Sequence, residues 1–267
     1  MQTSVVGQKK LKEKLNNVSI ESFPKSLILC GDSGCGKHLL CSILEQKFSA
    51  WEFFYVKPPI NYSFVESCYL VSIPTFYVFD ADNLTEREQN VLLKLFEEPV
   101  NNVNIILLST NTSLLLNTVI NRAVIWEFEP YTESELSVFL QGKNPELLSL
   151  VTTPGQLLSL SDANVDSMVD LSNLIIDKIG KASISNTLSL SSKFVSKDAT
   201  TAEFDLMIFI RLFRKILYNK IKCSSEVRYE KAFVVTNKFY NTLLQLKNLN
   251  KKYLFENFIL ELKASLI

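Results

Sequence analysis

The stretch CGDSGCGKHLL at residues 30–40 decides how this chain folds. Three of the seven glycines in the chain lie within it, at positions 31, 34 and 36. Immediately before it, the run SLILC at residues 26–30 is apolar and rich in β-forming side chains, which predicts a buried strand. Immediately after it, apolar side chains at positions 39, 40, 43 and 44 follow the period of a helix. A strand, a glycine-rich loop and a helix in this order predict a loop that holds phosphate.

The loop sequence GDSGCGKH, residues 31–38, matches the pattern GxxxxGK but continues with His38 where Ser or Thr is usual. Its glycines let backbone N–H groups converge on phosphate oxygens, and Lys37 is predicted to reach the β- and γ-phosphates. His38 lacks the hydroxyl oxygen that Mg²⁺ prefers, so we expect binding to persist while the metal is held less well. A glycine turn without a ligand is the alternative. The residues predicted to contact the phosphates are Gly31, Asp32, Ser33, Gly34, Cys35, Gly36, Lys37 and His38.

Three further buried strands are predicted downstream, at residues 75–80, 103–110 and 123–129. Between the first two of them, a helix is predicted to begin after Thr85 and to stop at Pro99. Glu88 lies three residues after Thr85, which is the spacing of a capping box. Strands that alternate with helices indicate a mostly parallel sheet covered on both faces, so the predicted fold class is α/β.

The strand that ends FDADN supplies one of the two acids that nucleotide hydrolysis uses. Asp80 can coordinate Mg²⁺, and a Glu beside it would normally orient the attacking water. Ala81 occupies that second position. Asp82 is one position on, and its shorter side chain points elsewhere if the strand continues, because successive side chains of a strand face opposite sides. The sequence therefore predicts a site that binds nucleotide and scarcely hydrolyses it. A polar strand end without a metal is the alternative for Asp80.

The composition argues against several classes of protein. The formal net charge is zero, which excludes a protein that coats nucleic acid by charge alone, although residues 203–267 carry 12 Lys and Arg against 6 Asp and Glu. The five cysteines include no CxxC pair, so neither a zinc site nor a disulfide framework is predicted. We see no signal peptide and no apolar run long enough for a membrane span, and a reducing cytoplasm is the predicted location.

Strand signals disappear after about residue 133, and short helical segments follow. Shifts in composition near residue 133 and within residues 182–202 set the predicted domain boundaries. Three amphipathic helices are predicted in the last part of the chain, at about residues 203–222, 226–247 and 251–265.

Four segments of the chain resemble one known family. DADNLTEREQNVLLKLFEEP, residues 80–99, resembles the segment of bacterial and phage clamp-loader AAA+ subunits in which a strand-ending acid precedes a helix ending LEEP. LLSTNTSLLLNTVINRA, residues 107–123, resembles their sensor strand and the arginine-containing box behind it. VVGQKKLKEKL at residues 5–15 resembles their N-terminal GQ element, and residues 246–263 resemble their last collar helix. The delta-prime subunits of the DNA polymerase III clamp loader are the most similar members.

Carried over position by position, the resemblance implies roles for individual residues. Asp80 would hold Mg²⁺, and Thr110 or Asn111 would be the sensor at the end of a strand. Arg122 matches the arginine that these subunits present to the nucleotide of a neighbouring subunit, where a guanidinium stabilises charge on the transferring phosphate. Val6 belongs to the element that packs near adenine, and ATP and Mg²⁺ are the implied cofactors. An ordinary surface or ion-paired arginine is the alternative for Arg122.

The resemblance also implies an architecture and a function. It implies a RecA-like AAA+ domain at residues 1–132, a small helical lid at 133–181 and an all-α collar domain for oligomerisation at 182–267. The chain would join other loader subunits in a ring-like hetero-oligomer, a pentamer, that opens a sliding clamp and places it on primer–template DNA. It would bind ATP weakly or without efficient hydrolysis, in the cytoplasm of a bacterium or of the bacterial host of a phage. The alternatives are a stand-alone AAA+ ATPase such as a helicase loader or remodeller, a small-molecule kinase, and a structural stator without nucleotide.

Overall fold

The structure is a computed structural model that describes residues 5–142, 145–160, 162–178, 206–224, 226–245 and 251–266. The chain divides into two compact units. The first consists of Met1–Gln141 with Thr152–Ser159, and the second of Gly142–Val151 with Leu160–Ile267. Among the described residues, no helix combines the length and the apolar character that crossing a membrane requires.

A parallel sheet of five strands forms the centre of the first unit, which confirms the predicted α/β class. The spatial order is β2-β3-β4-β1-β5. The strands are β1 (Ser26–Cys30), β2 (Glu52–Val56), β3 (Thr75–Asp80), β4 (Val103–Ser109) and β5 (Val124–Glu127). All seven residues of β4 are buried, as its continuous apolar sequence predicts for a central strand.

Strand β2 was not predicted from the sequence. It pairs with β3 at one edge of the sheet, and three of its five residues are exposed. The apolar run FFYV, residues 53–56, has only four residues, which is the lower limit of the template for a buried strand, so the sequence signal is weak. Residues 52–56 form a strand because they pair with β3, which is a tertiary contact.

Helices cover both faces of the sheet. The helices of the first unit are α1 (Lys9–Asn17), α2 (Lys37–Lys47), α3 (Tyr62–Tyr69), α4 (Glu86–Glu97), α5 (Asn117–Ile120), α6 (Glu133–Ser137) and α7 (Pro154–Ser159). Leu11 of α1 and Leu44 of α2 pack with Leu27 of β1 on one face. Ile28, the next residue of β1, packs with Leu92 of α4 on the other face. Because successive side chains of β1 point to opposite faces of the sheet, its residues pack into two separate hydrophobic cores.

Helix α4 begins with the predicted capping box. Thr85 Oγ1 accepts from the N–H of Glu88, and Glu88 Oε2 accepts from the Thr85 N–H at 2.8 Å. Glu88 Oε1 also accepts from the Ile60 N–H at 2.9 Å, so this buried carboxylate joins α4 to the segment before α3. Hydrogen bonds from Thr85 and Ile60 lower the pKa of Glu88 below its ordinary value of 4.5.

The second unit is helical in its described residues. Its helices are α8 (Asp162–Lys178), α9 (Leu206–Cys223), α10 (Val227–Gln245) and α11 (Lys251–Leu266), preceded by a 3-10 turn at Pro145–Ser149. Phe209 and Phe213 of α9 make ring contacts with Phe255 and Phe258 of α11. Within the described residues, helices are present at the positions of all three predicted tail helices. Residues 203–205 and 246–247 of the predicted ranges lie outside the described residues.

The three-part division into α/β domain, lid and collar stays a prediction. Helices α6 and α7 of the predicted lid belong to the first compact unit, whereas α8 belongs to the second. The predicted boundary between residues 181 and 182 lies outside the described residues.

We predict that Glu88→Gln lowers the free energy of unfolding by about 2 kcal/mol at neutral pH, because an amide cannot accept from both buried backbone N–H groups as a carboxylate does. Glu86→Gln on the exposed side of the same helix turn is the control, with an expected loss below about 0.5 kcal/mol. Urea denaturation measures both.

The pH dependence gives a second check on Glu88. A lowered pKa in the folded state means that the carboxylate contributes its stability fully above pH 4.5, and that the contribution is lost as the pH falls through the lowered value. The difference between the wild type and Glu88→Gln should therefore shrink in acid. A difference that is constant from pH 7 down to pH 3 would contradict this role.

Candidate functional site

The glycine-rich loop connects the carboxyl end of β1 to the amino end of α2, as predicted. Gly34 and Gly36 adopt φ angles of 78° and 108°, in the left-handed region where other residues are strained. Gly36 is the residue that precedes the first turn of α2. The backbone path of the loop therefore depends on glycine at these two positions.

The loop presents backbone amides to a potential anion. Within the described residues, the N–H groups of Gly34 and Gly36 donate to no protein acceptor. The Lys37 ammonium lies back across the loop and donates to the carbonyl oxygens of Gly31 at 2.5 Å and Asp32 at 3.2 Å. Free amides at the start of a helix and a nearby lysine are the groups that phosphate binding requires.

A cavity of about 460 Å³ opens beside the loop. It is lined by loop residues, by the end of β3 and by the residue after β4, among them Gly34, Lys37, His38, Asp80 and Thr110. Its volume falls in the range of small-molecule sites. The structure thus brings most of the predicted site residues around one cavity.

Asp80 is the last residue of β3 and is exposed. Its Oδ2 accepts from Asn83 Nδ2 at 2.7 Å. Among the described residues there is no cluster of three or more His, Cys, Asp or Glu that could hold a metal ion. This donor set fits a Mg²⁺ ion that arrives with phosphate oxygens and keeps several waters, and it does not fit a metal held by protein ligands alone.

The position for a catalytic glutamate holds a buried alanine. Ala81 is 1% exposed and begins a 3-10 turn rather than extending β3. The Asp82 carboxylate accepts from the Ser109 hydroxyl at 2.8 Å and from the Thr110 N–H at 2.9 and 3.0 Å. Asp82 therefore ties the end of β3 to the end of β4, and its oxygens are engaged in this structural contact.

The two sensor candidates differ in position. Thr110 lines the cavity beside the loop. The Asn111 side chain caps a 3-10 turn, since its Oδ1 accepts from the Ser113 N–H at 2.9 Å. His38 lies on the cavity rim with its ring centre 6.0 Å from that of Tyr55 on the edge strand. Of the two sensor candidates, Thr110 lines the loop cavity and Asn111 does not.

The N-terminal GQ element contacts the end of the sheet. The Gln8 side chain exchanges two hydrogen bonds of 2.7 Å with the backbone of Glu129. Val6, two residues earlier, is half-buried and does not line the loop cavity. Burial raises the pKa of nearby Tyr131 to about 12, and a hydrogen bond with Gln8 partly opposes this. The Tyr131 hydroxyl donates to the Cys35 carbonyl at 2.7 Å.

Three residues that contact the loop were missed by sequence reasoning: Tyr131, Thr153 and Gly155. They lie 96 to 121 residues from their partners in the chain, which no local pattern reports. Their only sequence signal is the position of TPGQ at residues 153–156 within the helical region.

Arg122 lies away from the loop cavity. It follows α5, where its Nη2 contacts Glu97 Oε1 at 2.9 Å and its Nη1 donates to the Thr118 carbonyl at 3.0 Å. Its side chain is 38% exposed and does not line the loop cavity. The guanidinium is therefore held by its own subunit on one side and open to solvent on the other.

Comparisons with known proteins give one family match. Residues 60–132 match the family model described as DNA polymerase III, delta subunit, and this segment contains Asp80, Thr110 and Arg122. The match supports a clamp-loader-type subunit. No curated protein sequence matches the chain.

Solved structures to which this chain is similar include two proteins of Thermotoga maritima. A DNA polymerase III gamma subunit-related protein has 17% sequence identity and a TM-score of 0.48, over 98% of this chain and 100% of that chain. The RuvB Holliday junction branch migration motor has 15% identity and a TM-score of 0.43, over 82% of this chain and 77% of that chain.

We predict that Asp82→Asn destabilises the fold by about 2 kcal/mol, because the amide NH2 that replaces Oδ2 cannot accept from the Thr110 N–H, and the remaining neutral oxygen accepts more weakly than a carboxylate oxygen. Asp80→Asn is the matched control, with an expected change below about 0.5 kcal/mol because its carboxylate is exposed. Thermal unfolding without nucleotide measures both variants. Equal losses of stability in the two variants would contradict the assignment of Asp82 as a structural acid and Asp80 as a solvent-facing one.

Proposed function

We propose that this chain is a subunit of an ATP-dependent sliding-clamp loader. The observation that carries the proposal is the match of residues 60–132 to the delta-subunit family of DNA polymerase III. The matched segment contains the strand-ending acid, helix α4 and the arginine after α5. In this role the chain assembles with other AAA+ subunits, opens a ring-shaped clamp and places it on primer–template DNA.

Nucleotide binding without efficient turnover follows from the residues around the loop cavity. The amides of Gly34 and Gly36 with the Lys37 ammonium can hold the phosphates of ATP, and Asp80 can contact the Mg²⁺ bound to them. Bound Mg²⁺ would neutralise developing phosphate charge. Ala81 leaves no carboxylate to orient water, and His38 offers no hydroxyl oxygen. These residues therefore support an ATP site of low intrinsic activity.

Arg122 is proposed to act on the nucleotide of an adjoining subunit. Two observations support this: its guanidinium is partly exposed, and it does not line the cavity of its own loop. Glu97 and the Thr118 carbonyl engage only part of its five N–H donors. The remaining donors can stabilise charge on a phosphoryl group supplied by a neighbour.

The proposal also assigns the chain a place in a ring of subunits and names the partners of that ring. Helices α9, α10 and α11 lie within the predicted collar at residues 182–267, and we propose that they join subunits into a pentameric ring. The predicted lid at residues 133–181 would precede them. Partners of the ring are the sliding clamp and primer–template DNA, in the cytoplasm of a bacterium or of the bacterial host of a phage.

Nucleotide binding is tested by calorimetric titration of the full chain with MgATP. We expect Lys37→Met to weaken binding at least about tenfold, because one charge-assisted phosphate contact is lost. Lys14→Met on the exposed side of α1 is the control and should bind as the wild type does. A wild-type chain without measurable heat would support the structural stator instead.

Turnover is tested with the chain alone and then with its clamp, primed DNA and partner subunits. We expect slow ATP hydrolysis by the lone chain. In the assembly, Arg122→Ala should lower hydrolysis at the adjoining site on the order of 10³-fold. Arg87→Ala, an exposed arginine on α4, is the control. Fast turnover by the lone chain would favour a stand-alone ATPase, and an unchanged rate for Arg122→Ala would remove the arginine finger.

A further inference from the structure

Every backbone carbonyl from residue 31 to residue 35 accepts a hydrogen bond. The first two, of Gly31 and Asp32, accept from Lys37 within the loop. The next three accept from residues far along the chain. The donors are the Thr153 hydroxyl to Ser33 at 2.9 Å, the Gly155 N–H to Gly34 at 2.9 Å and the Tyr131 hydroxyl to Cys35 at 2.7 Å. We name the set Tyr131, Thr153 and Gly155 the carbonyl clamp.

The clamp is packed closely against the loop. Thr153 is 2% exposed. A Cβ atom added at Gly155 would lie 2.6 Å from Gly34 Cα and 2.9 Å from Gly34 O, closer than real Cβ contacts allow. The two glycines therefore permit a backbone-to-backbone approach that side chains at either position would prevent.

A hydrogen bond that fixes the direction of a backbone carbonyl also fixes the direction of the N–H group of the next residue. In a trans peptide unit the C=O of one residue and the N–H of the next point in opposite directions within one plane. Fixing the carbonyls of Ser33, Gly34 and Cys35 thus fixes the direction of the N–H groups of residues 34, 35 and 36. Two of these, at Gly34 and Gly36, have no protein acceptor within the described part of the chain.

We propose that Tyr131, Thr153 and Gly155 are positioning residues for phosphate binding. By holding the outward carbonyls of the loop, they keep the inward amides in the orientation that a polyphosphate needs, before any ligand arrives. The proposal rests on nucleotide binding within the proposed function, and it adds residues outside the GxxxxGK pattern. Preorganised donors bind an anion better than donors that must be ordered on binding, because the ordering free energy has already been spent.

The sharpest variant is Tyr131→Phe, which keeps the ring and removes one hydrogen bond to the loop. Tyr77→Phe is the matched control, since Tyr77 is a partly buried tyrosine of β3 that packs against Phe64 and, in the described part of the chain, makes no contact with the loop. Thr153→Val with Thr152→Val forms a second matched pair, because the Thr152 hydroxyl contacts the Gln156 side chain rather than the loop. If Thr153→Val does not fold, the tyrosine pair still decides the outcome.

The full chain is titrated by calorimetry with MgATP and, separately, with inorganic tripolyphosphate. We expect the Kd of both probes to rise about five- to tenfold in Tyr131→Phe and in Thr153→Val, and to stay unchanged in the two controls. Hydrogen exchange of ligand-free protein gives a second readout. The Cys35 amide, which donates to the Asp32 carbonyl, should exchange faster in both clamp variants than in the wild type or the controls.

The outcomes separate this proposal from the proposed function. Wild-type binding with unchanged Kd values in both clamp variants would overturn the positioning role and leave the nucleotide site intact. A lower thermal stability with unchanged Kd values would show that the contacts are merely structural and would also overturn it. A wild-type chain that binds neither probe would reject nucleotide binding itself, and the clamp with it. Weaker binding of both probes with faster loop exchange would support the clamp.

Discussion

The parallel pairing of β1 with β4, and of β4 with β3, is the constraint on which the rest of the site depends. It places Cys30 beside Ser109 and Asp80 beside Leu108, so three strand ends reach one edge of the sheet. The phosphate loop, the exposed acid and Thr110 follow directly from those ends. Residues that are 30 to 80 positions apart in the chain thus surround one cavity without any direct bond between loop and acid.

Hydrogen bonds to the backbone then fix the details of that edge. Asp82 joins the end of β3 to the end of β4, and Gln8 joins the N-terminal segment to the backbone after β5. The loop itself is held through its carbonyl oxygens. Backbone polar groups need hydrogen-bond partners where water is excluded, and these contacts supply partners for the carbonyl oxygens of the loop. The N–H groups of Gly34 and Gly36 stay available to an anion.

In the proposed function, the site combines an anion-binding loop with an incomplete hydrolytic apparatus. Free amides and Lys37 face the cavity, whereas Ala81 is buried where an acid would orient water. Arg122 is held by Glu97 outside that cavity. Such a division is physically consistent with a subunit whose chemistry is shared with a neighbour, because binding and charge stabilisation can be supplied by different chains.

The amino-acid sequence by itself determined the elements whose signals are local. The GxxxxGK loop between a strand and a helix, the capping box of Thr85 and Glu88, and the continuous apolar run of β4 all arise from neighbours within a few residues, and all are present as predicted. Only the tertiary structure decided the edge strand β2, the engagement of Asp82 and the contacts of Tyr131 and Thr153 with the loop. These depend on segments brought together across up to 120 residues, and no short-range periodicity records which donor meets which carbonyl.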